Sequence, residues 1–284
     1  MKLLRFQSSL KSVNAGVPQG SVISPLLYLI YVNDMPVEDN IMTCLFADDT
    51  AIIAQHHNLR FLRNRIQNFL KIFEKWLMKW RISVNVNKTA ALVFAKGKLS
   101  RYPSRLKLFN ETIEWATQTK YLGVIIDSKL TFKPHKELIN KNFNSAISIL
   151  KPLIGYYSPL TLENKLLIYK QYIRPKITYA CQVWGQAANC HINAIQIMQN
   201  KCLRKITKAP IFVHNYILHR DLNIPTIREF IEQLTVKLLS EMQHSDNPLI
   251  QLQTTIQSGK YRVPSSNVNL SDSCKIKKTL NLIL

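Results

Sequence analysis

The stretch IMTCLFADDTAIIA, residues 41–54, decides the architecture of the first part of the chain. Two apolar runs flank Asp48-Asp49, the pattern of a hairpin: strand, acidic turn, strand. Adjacent carboxylates repel each other. The pair is tolerable in an exposed turn, where Asp is common. It is useful where a divalent cation neutralises it, since magnesium is bound by one or two carboxylates plus substrate phosphates. The residues of the hairpin alone leave both possibilities open.

Upstream, SVNAGVPQG (12–20) reads as a loop broken by Gly16, Pro18 and Gly20. Residues 21–33 read as a buried helix starting at Ser21 or Ser24, with Pro25 accommodated in its first turn. Downstream, residues 58–80 form a long amphipathic helix. Leu62, Ile66, Phe69, Phe73, Leu77 and Trp80 recur at spacings of three and four and mark its core face. Arg60, Arg63, Arg65, Lys71, Lys75 and Lys79 occupy its other positions, opposed by Glu74 alone. Strand patterns follow at Ile82–Val86, Ala91–Phe94, Leu106–Leu108, Thr112–Trp115 and Tyr121–Ile126. From Pro134 onward the periodicity is helical, over 134–151, 160–173, 175–185, 191–207 and 226–243. Pro152, Pro159, Pro175 and Pro225 punctuate these segments. Thr226 and Glu229 have capping-box spacing. A mixed half thus precedes an all-helical half, which predicts an α+β fold in two subdomains, 1–130 and 131–243, with a loosely structured tail at 244–284.

The composition narrows the partners. Of 284 residues, 46% are hydrophobic, enough for a folded core. Lys and Arg number 38 against 17 Asp and Glu, a formal charge of +21. Residues 1–54 are slightly acidic (3 basic, 5 acidic), whereas 55–130 hold 15 basic and 4 acidic groups and 131–235 hold 14 and 5. An excess this large attracts polyanions, nucleic acid first. No apolar run reaches the roughly 18 residues of a membrane span. MKLLRFQSSL lacks the apolar core of a secretory signal. Five scattered cysteines (44, 181, 190, 202, 274) without Cys-x-x-Cys fit a reducing compartment rather than a disulfide scaffold or zinc ribbon. Cys181, Cys190 and Cys202 read as buried small apolar residues. An intracellular location, nuclear or cytoplasmic, is expected.

Several blocks in order carry a resemblance. They are AGVPQGSVISPLLYLIYVND (15–34), CLFADDTAII (44–53), VNVNKTAALVF (84–94), KYLGVIID (120–127), LTFKPH (130–135) and RPKITYACQVWG (174–185). IQIMQNKCLRKITKAP (195–210) and HRDLNIPTIREFI (219–231) complete the series. Together they resemble the reverse transcriptases of non-LTR retrotransposons, in particular the jockey-like long interspersed elements of insects, over about residues 12–235. The resemblance implies a polymerase palm, an antiparallel sheet with packed helices, followed by a helical thumb. It implies an RNA-directed DNA polymerase that uses Mg²⁺, deoxynucleoside triphosphates, an RNA template and a DNA primer. By the same resemblance Asp48 and Asp49 are metal ligands, and Gln19 and Gly20 border the incoming nucleotide and template base. Lys88 helps to protonate the leaving pyrophosphate, and Tyr121, Leu122 and Gly123 form the primer grip.

The chain departs from this family at its start. Relatives carry fingers, and a first palm strand with an essential Asp, before the GVPQGS segment. Here no Asp or Glu precedes Asp34, and Asp34, Glu38 and Asp39 fall in the connection after that segment, where they are poor substitutes. The jockey-like endonuclease domain is also missing from the sequence. The expectation is a truncated palm and thumb that does not polymerise alone and is marginally stable. The alternative is a catalytically inactive, nucleic-acid-binding relic of such a polymerase.

Overall fold

The computed structural model describes residues 16, 20–95, 99, 102–247, 250 and 280–283. The chain enters through a short helix, α1 (Ser24–Tyr31). The alternation that follows folds into an antiparallel hairpin of β1 (Ile41–Phe46) and β2 (Asp49–His56), in register from Ile41↔Ala54 to Phe46↔Asp49. Ala51, Ile52 and Ala54 turn into the core.

Asn58 then caps α2 (Leu59–Trp80). Its side-chain oxygen accepts from the Arg60 and Phe61 amides at 2.9 and 3.3 Å, satisfying donors that a helix start otherwise leaves unpaired. The predicted stripe is the packing face: Leu62, Ile66, Phe69, Phe73 and Leu77 are buried, Leu70 and Trp76 join them, and Trp80 is half-buried. Ile82–Val86, expected to be a strand, is irregular and ends in a single tight turn at Val86–Lys88. Among the described residues it has no strand partner, and alternation alone does not supply one.

Short strands complete this half: β3 (Leu92–Phe94), the hairpin β4 (Leu106–Leu108) with β5 (Glu111–Ile113), and the hairpin β6 (Gln118–Tyr121) with β7 (Val124–Asp127). Tyr121–Ile126 is therefore a hairpin rather than one strand.

The second half is helical: α3 (Lys133–Ile149), α4 (Lys151–Ile154), α5 (Leu162–Ile168), α6 (Arg174–Thr178), α7 (Cys181–Trp184), α8 (Asn189–Thr207), α9 (Asn215–Asp221) and α10 (Ile227–Gln243). The break expected at Pro175 is absent. The chain runs from α5 into α6 through one wide turn at Tyr169–Ile173, which accommodates a residue unable to donate a backbone hydrogen bond. The capping box forms as expected: Thr226 Oγ1 accepts from the Glu229 amide, and the Thr226 amide donates to Glu229 Oε2 at 2.9 Å. A separate core fills this half, around Phe143, Tyr169, Trp184, Ile195, Leu203 and Ile231. Cys181 and Cys202 are buried in it, and burial pushes their thiols up to about 11 and about 12. Cys190, expected to be buried, is exposed.

Two findings depart from local pattern. The α1 helix forms with Pro25 in its first turn, but no residue of it is buried. Val22 is 95% exposed, and Leu26, Leu29 and Ile30 are more than half exposed. A helix that is apolar on every side needs neighbours on every side. Tyr28 packs against the first core and Tyr31 lies edge-on to Trp80 at 5.1 Å. The second finding is a strand at β8 (Leu280–Ile283). It lies between β2 and β3, antiparallel to both, and makes a four-stranded sheet of order β1-β2-β8-β3.

Candidate active site

The hairpin tip is a two-residue turn, Ala47-Asp48, closed by the Phe46↔Asp49 pair. Ala47 sits at φ +51°, where a side chain costs about 1–2 kcal/mol. Backbone held in this way lifts both carboxylates clear of the sheet, and Asp48 and Asp49 are exposed. Two tyrosines flank them. Burial raises the Tyr28 hydroxyl, and the Asp48 charge raises it further. Burial likewise raises Tyr121, with the added influence of Cys44 and Asp49. The Asp48 charge thus reaches Tyr28 of α1, and the Asp49 charge reaches Tyr121 at the turn of the β6–β7 hairpin.

That second turn is tightly specified. Tyr121 pairs with Val124 across Leu122-Gly123, and both central residues have positive φ, +43° and +82°. This is the geometry favoured by two-residue hairpins, normally supplied by Asn-Gly. Here Leu122 occupies the strained position and is held from outside. Tyr179, at the end of α6, donates its hydroxyl to the Leu122 carbonyl at 3.0 Å. A Cβ on Gly123 would stand 2.9 Å from a carbon of the Tyr179 ring. The Trp184 indole donates to the Tyr179 carbonyl at 2.8 Å and fixes the tyrosine's backbone. A residue of the helical half thus clamps a turn of the sheet half.

Of the remaining sequence candidates, Gly20 is exposed with φ +87° in the approach to α1. Gln19 lies outside the described residues. Lys88 is exposed. Across β8, Ile283 pairs with both Ile53 and Leu92. β2 and β3 thus run in the same direction, and Lys88 lies in the tight turn at Val86–Lys88 that precedes β3. The neighbouring carboxylate Asp34 is engaged elsewhere. It accepts from the indoles of Trp76 and Trp80 at 2.8 and 3.0 Å and from Lys79 at 3.2 Å. The Trp76 hydrogen bond chiefly holds its carboxyl below the ordinary range.

Among the described residues no three His, Cys, Asp or Glu side chains gather to hold a metal. Asp48 and Asp49 offer two exposed, hard oxygen donors on one turn. That set fits magnesium, whose remaining positions are ordinarily filled by water and substrate phosphates. The sequence singled out Asp48, Asp49, Tyr121, Leu122 and Gly123, but not the turn that Leu122 and Gly123 form, nor Tyr28 or Tyr179. Their only signal is that both fall within the blocks quoted above.

Residues 3–126 match the reverse transcriptase (RNA-dependent DNA polymerase) family. The chain is 33% identical over 251 residues to an RNA-directed DNA polymerase from mobile element jockey of Drosophila funebris, covering 86% of this chain and 27% of that protein. It is 35% identical over 254 residues to a probable RNA-directed DNA polymerase from transposon X-element of Drosophila melanogaster, covering 87% and 28%. A probable polymerase from transposon BS of the same fly is 32% identical over 231 residues, 78% of this chain and 26% of that protein. The chain spans about a quarter of the length of these relatives. No solved structure matches it.

Proposed function

This chain carries a reverse transcriptase domain homologous to the RNA-directed DNA polymerases of non-LTR retrotransposons, and from that premise we propose that it serves nucleotidyl transfer onto a primer 3′-hydroxyl along an RNA template. The observation that carries the proposal is the exposed Asp48-Asp49 turn, with the Tyr121 turn, held by Tyr179, within reach of the Asp49 charge. In this reading residues 1–130 belong to a palm and 131–243 to a thumb.

The chemistry is mostly positioning and charge stabilisation. Asp48 and Asp49 would hold magnesium. When bound, the ion supplies positive charge where the attacking and leaving oxygens become negative. Tyr121, Leu122 and Gly123 support the primer end. The Leu122 carbonyl is already bonded to Tyr179, so the turn meets the primer as a fixed edge. Gln19 and Gly20 border the nucleotide and template base, where glycine permits close backbone approach. Lys88 donates a proton to the departing pyrophosphate. Exposed lysines on the helices, among them Lys133, Lys141, Lys176 and Lys201, bind duplex phosphates without reading sequence.

A second reading rests on the strand beside β2. Leu280–Ile283 fills that position and brings no carboxylate, so the sheet presents two acids rather than three. On this reading the chain binds primer–template without extending it. Primer extension on an RNA template with magnesium separates the two. Extension that disappears in Asp48→Asn and Asp49→Asn supports the polymerase. Salt-sensitive binding of primer–template without extension supports the binder, and loss of both overturns both.

A further inference from the structure

A cleft of about 810 Å³ opens where the start of α2 meets the β4–β5 hairpin. It is remote from the carboxylates. β2 separates Asp49 from His56 by seven residue steps, about 23 Å at the rise of an extended strand, and α2 begins just beyond His56. The cleft belongs to neither the Asp48-Asp49 tip nor the Leu122-Gly123 turn.

Its lining combines cations with aromatic rings. Arg63 reaches across to the segment before β4 and donates to the Ser104 and Arg105 carbonyls at 3.4 and 3.0 Å. Arg105 is paired with Glu114 at 3.0 Å. Arg60 has neither an ion pair nor a side-chain hydrogen bond among the described residues and is exposed. Three arginines and one glutamate leave a net positive wall. These arginines also sit near the first turn of α2, which holds no acidic residue. The helix macrodipole is positive at that end, so the repulsion among the cations is relieved by an anion from outside.

The rings are fixed as a platform. Trp115 donates its indole N–H to the Pro103 carbonyl at 3.0 Å. Tyr102 lies 6.2 Å from it, tilted by 31°, with 43% of its surface exposed. An inorganic anion has no use for two ordered rings, and a paired base cannot reach them. An unpaired base stacked on an aromatic face, with its phosphate on an arginine, uses both, which is the recurring design of single-strand binding sites. The volume lies within the range of ordinary ligand pockets and holds one or two nucleotides.

We propose that the cleft between α2 and the β4–β5 hairpin is a binding site for single-stranded nucleic acid, with Tyr102 and Trp115 stacking a base and Arg60 taking its phosphate. The proposal rests on the reading of the chain as a nucleic-acid enzyme and adds a second contact, beyond the far end of β2 from the carboxylates. It gives a strand approaching or leaving the polymerising site a place to be held while unpaired.

The test is photocrosslinking of the full chain to 12-nucleotide single strands of RNA and of DNA carrying 5-iodouracil, with crosslinked peptides identified by mass spectrometry. Crosslinks are expected at Tyr102 and Trp115, reduced at least five-fold by Tyr102→Ala and by Arg60→Glu and retained in Tyr102→Phe. Arg60 is exposed, so its variant keeps the fold. Labelling by one probe or both identifies the sugar the site accepts, and either supports the proposal. Crosslinks confined to residues 133–243 and unchanged in the variants overturn the cleft while leaving the polymerase reading intact. Absence of salt-sensitive binding to single strands and to primer–template overturns both.

Discussion

Replacing Gly123 with alanine tests the clamp between the two halves of the molecule. The glycine has φ +82°, and placing a side chain in left-handed backbone costs about 1–2 kcal/mol. The new methyl would also stand 2.9 Å from the Tyr179 ring. That ring is 58% exposed and can swing outward, but doing so breaks its hydrogen bond to the Leu122 carbonyl, worth about 0.5–1.5 kcal/mol net. The two costs together come to about 1.5–3.5 kcal/mol. Urea unfolding of the full chain, followed by far-ultraviolet circular dichroism, measures this directly. In a Tyr179→Ala background the ring and its bond are already gone, so Gly123→Ala should cost only about 1–2 kcal/mol there. The difference between backgrounds is the coupling energy. Equal penalties with and without Tyr179 would refute the contact, and no penalty in either would refute the left-handed turn.

Two further outcomes follow from buried titratable groups. Burial tends to raise the Asp127 carboxyl, but hydrogen bonds from the Thr131 and Phe132 amides and the Thr131 hydroxyl outweigh it, and the net shift is downward. A folded-state value below the unfolded one gives stability that is complete above pH ~4 and lost as pH falls through the folded value. Asp127→Asn should therefore destabilise the chain by about 1–2 kcal/mol at pH 7 and approach the parent near pH 2 in urea titrations. His135 is buried against Trp184, its Nδ1 accepts from the Ile125 amide and its Nε2 has no partner among the described residues, and burial holds the imidazole below its usual range. Stability should thus fall as pH drops below ~6.5, where the unfolded chain binds the proton first. Thermal melts at pH 8 and 5.5 check this, and His135→Leu should flatten the difference.

Local chemistry made part of this molecule legible. The β1–β2 hairpin, the core stripe of α2 and the Thr226–Glu229 box depend on residues a few positions apart, and each forms where the spacing predicts. Other features depend on partners far along the chain. Whether α1 is covered is not written in its own eight residues. Leu122-Gly123 lacks the Asn-Gly signature of its turn, because Tyr179, 57 positions away, helps to hold it. Pro175 reads as a stop until a wide turn next to it absorbs the missing donor. At the candidate site the carboxylates stood out because charge between two apolar runs is conspicuous. Tyr28 and Tyr179 did not, because a tyrosine in an apolar stretch looks like core.

The position of β8 has a consequence for how the sheet comes together. Pairing His56 with Leu280 closes a loop of roughly 220 positions, an entropy cost of about 5 kcal/mol for a flexible chain. Four pairs with β2 and three with β3 must offset it. The hairpin and α2 make short-range contacts and can organise within microseconds, whereas contacts of such sequence separation form slowly. The middle of the sheet is accordingly its last part to close and its first to open. Each opening bares the edges of β2 and β3, two rows of unpaired amides and carbonyls of the kind through which chains adhere to one another.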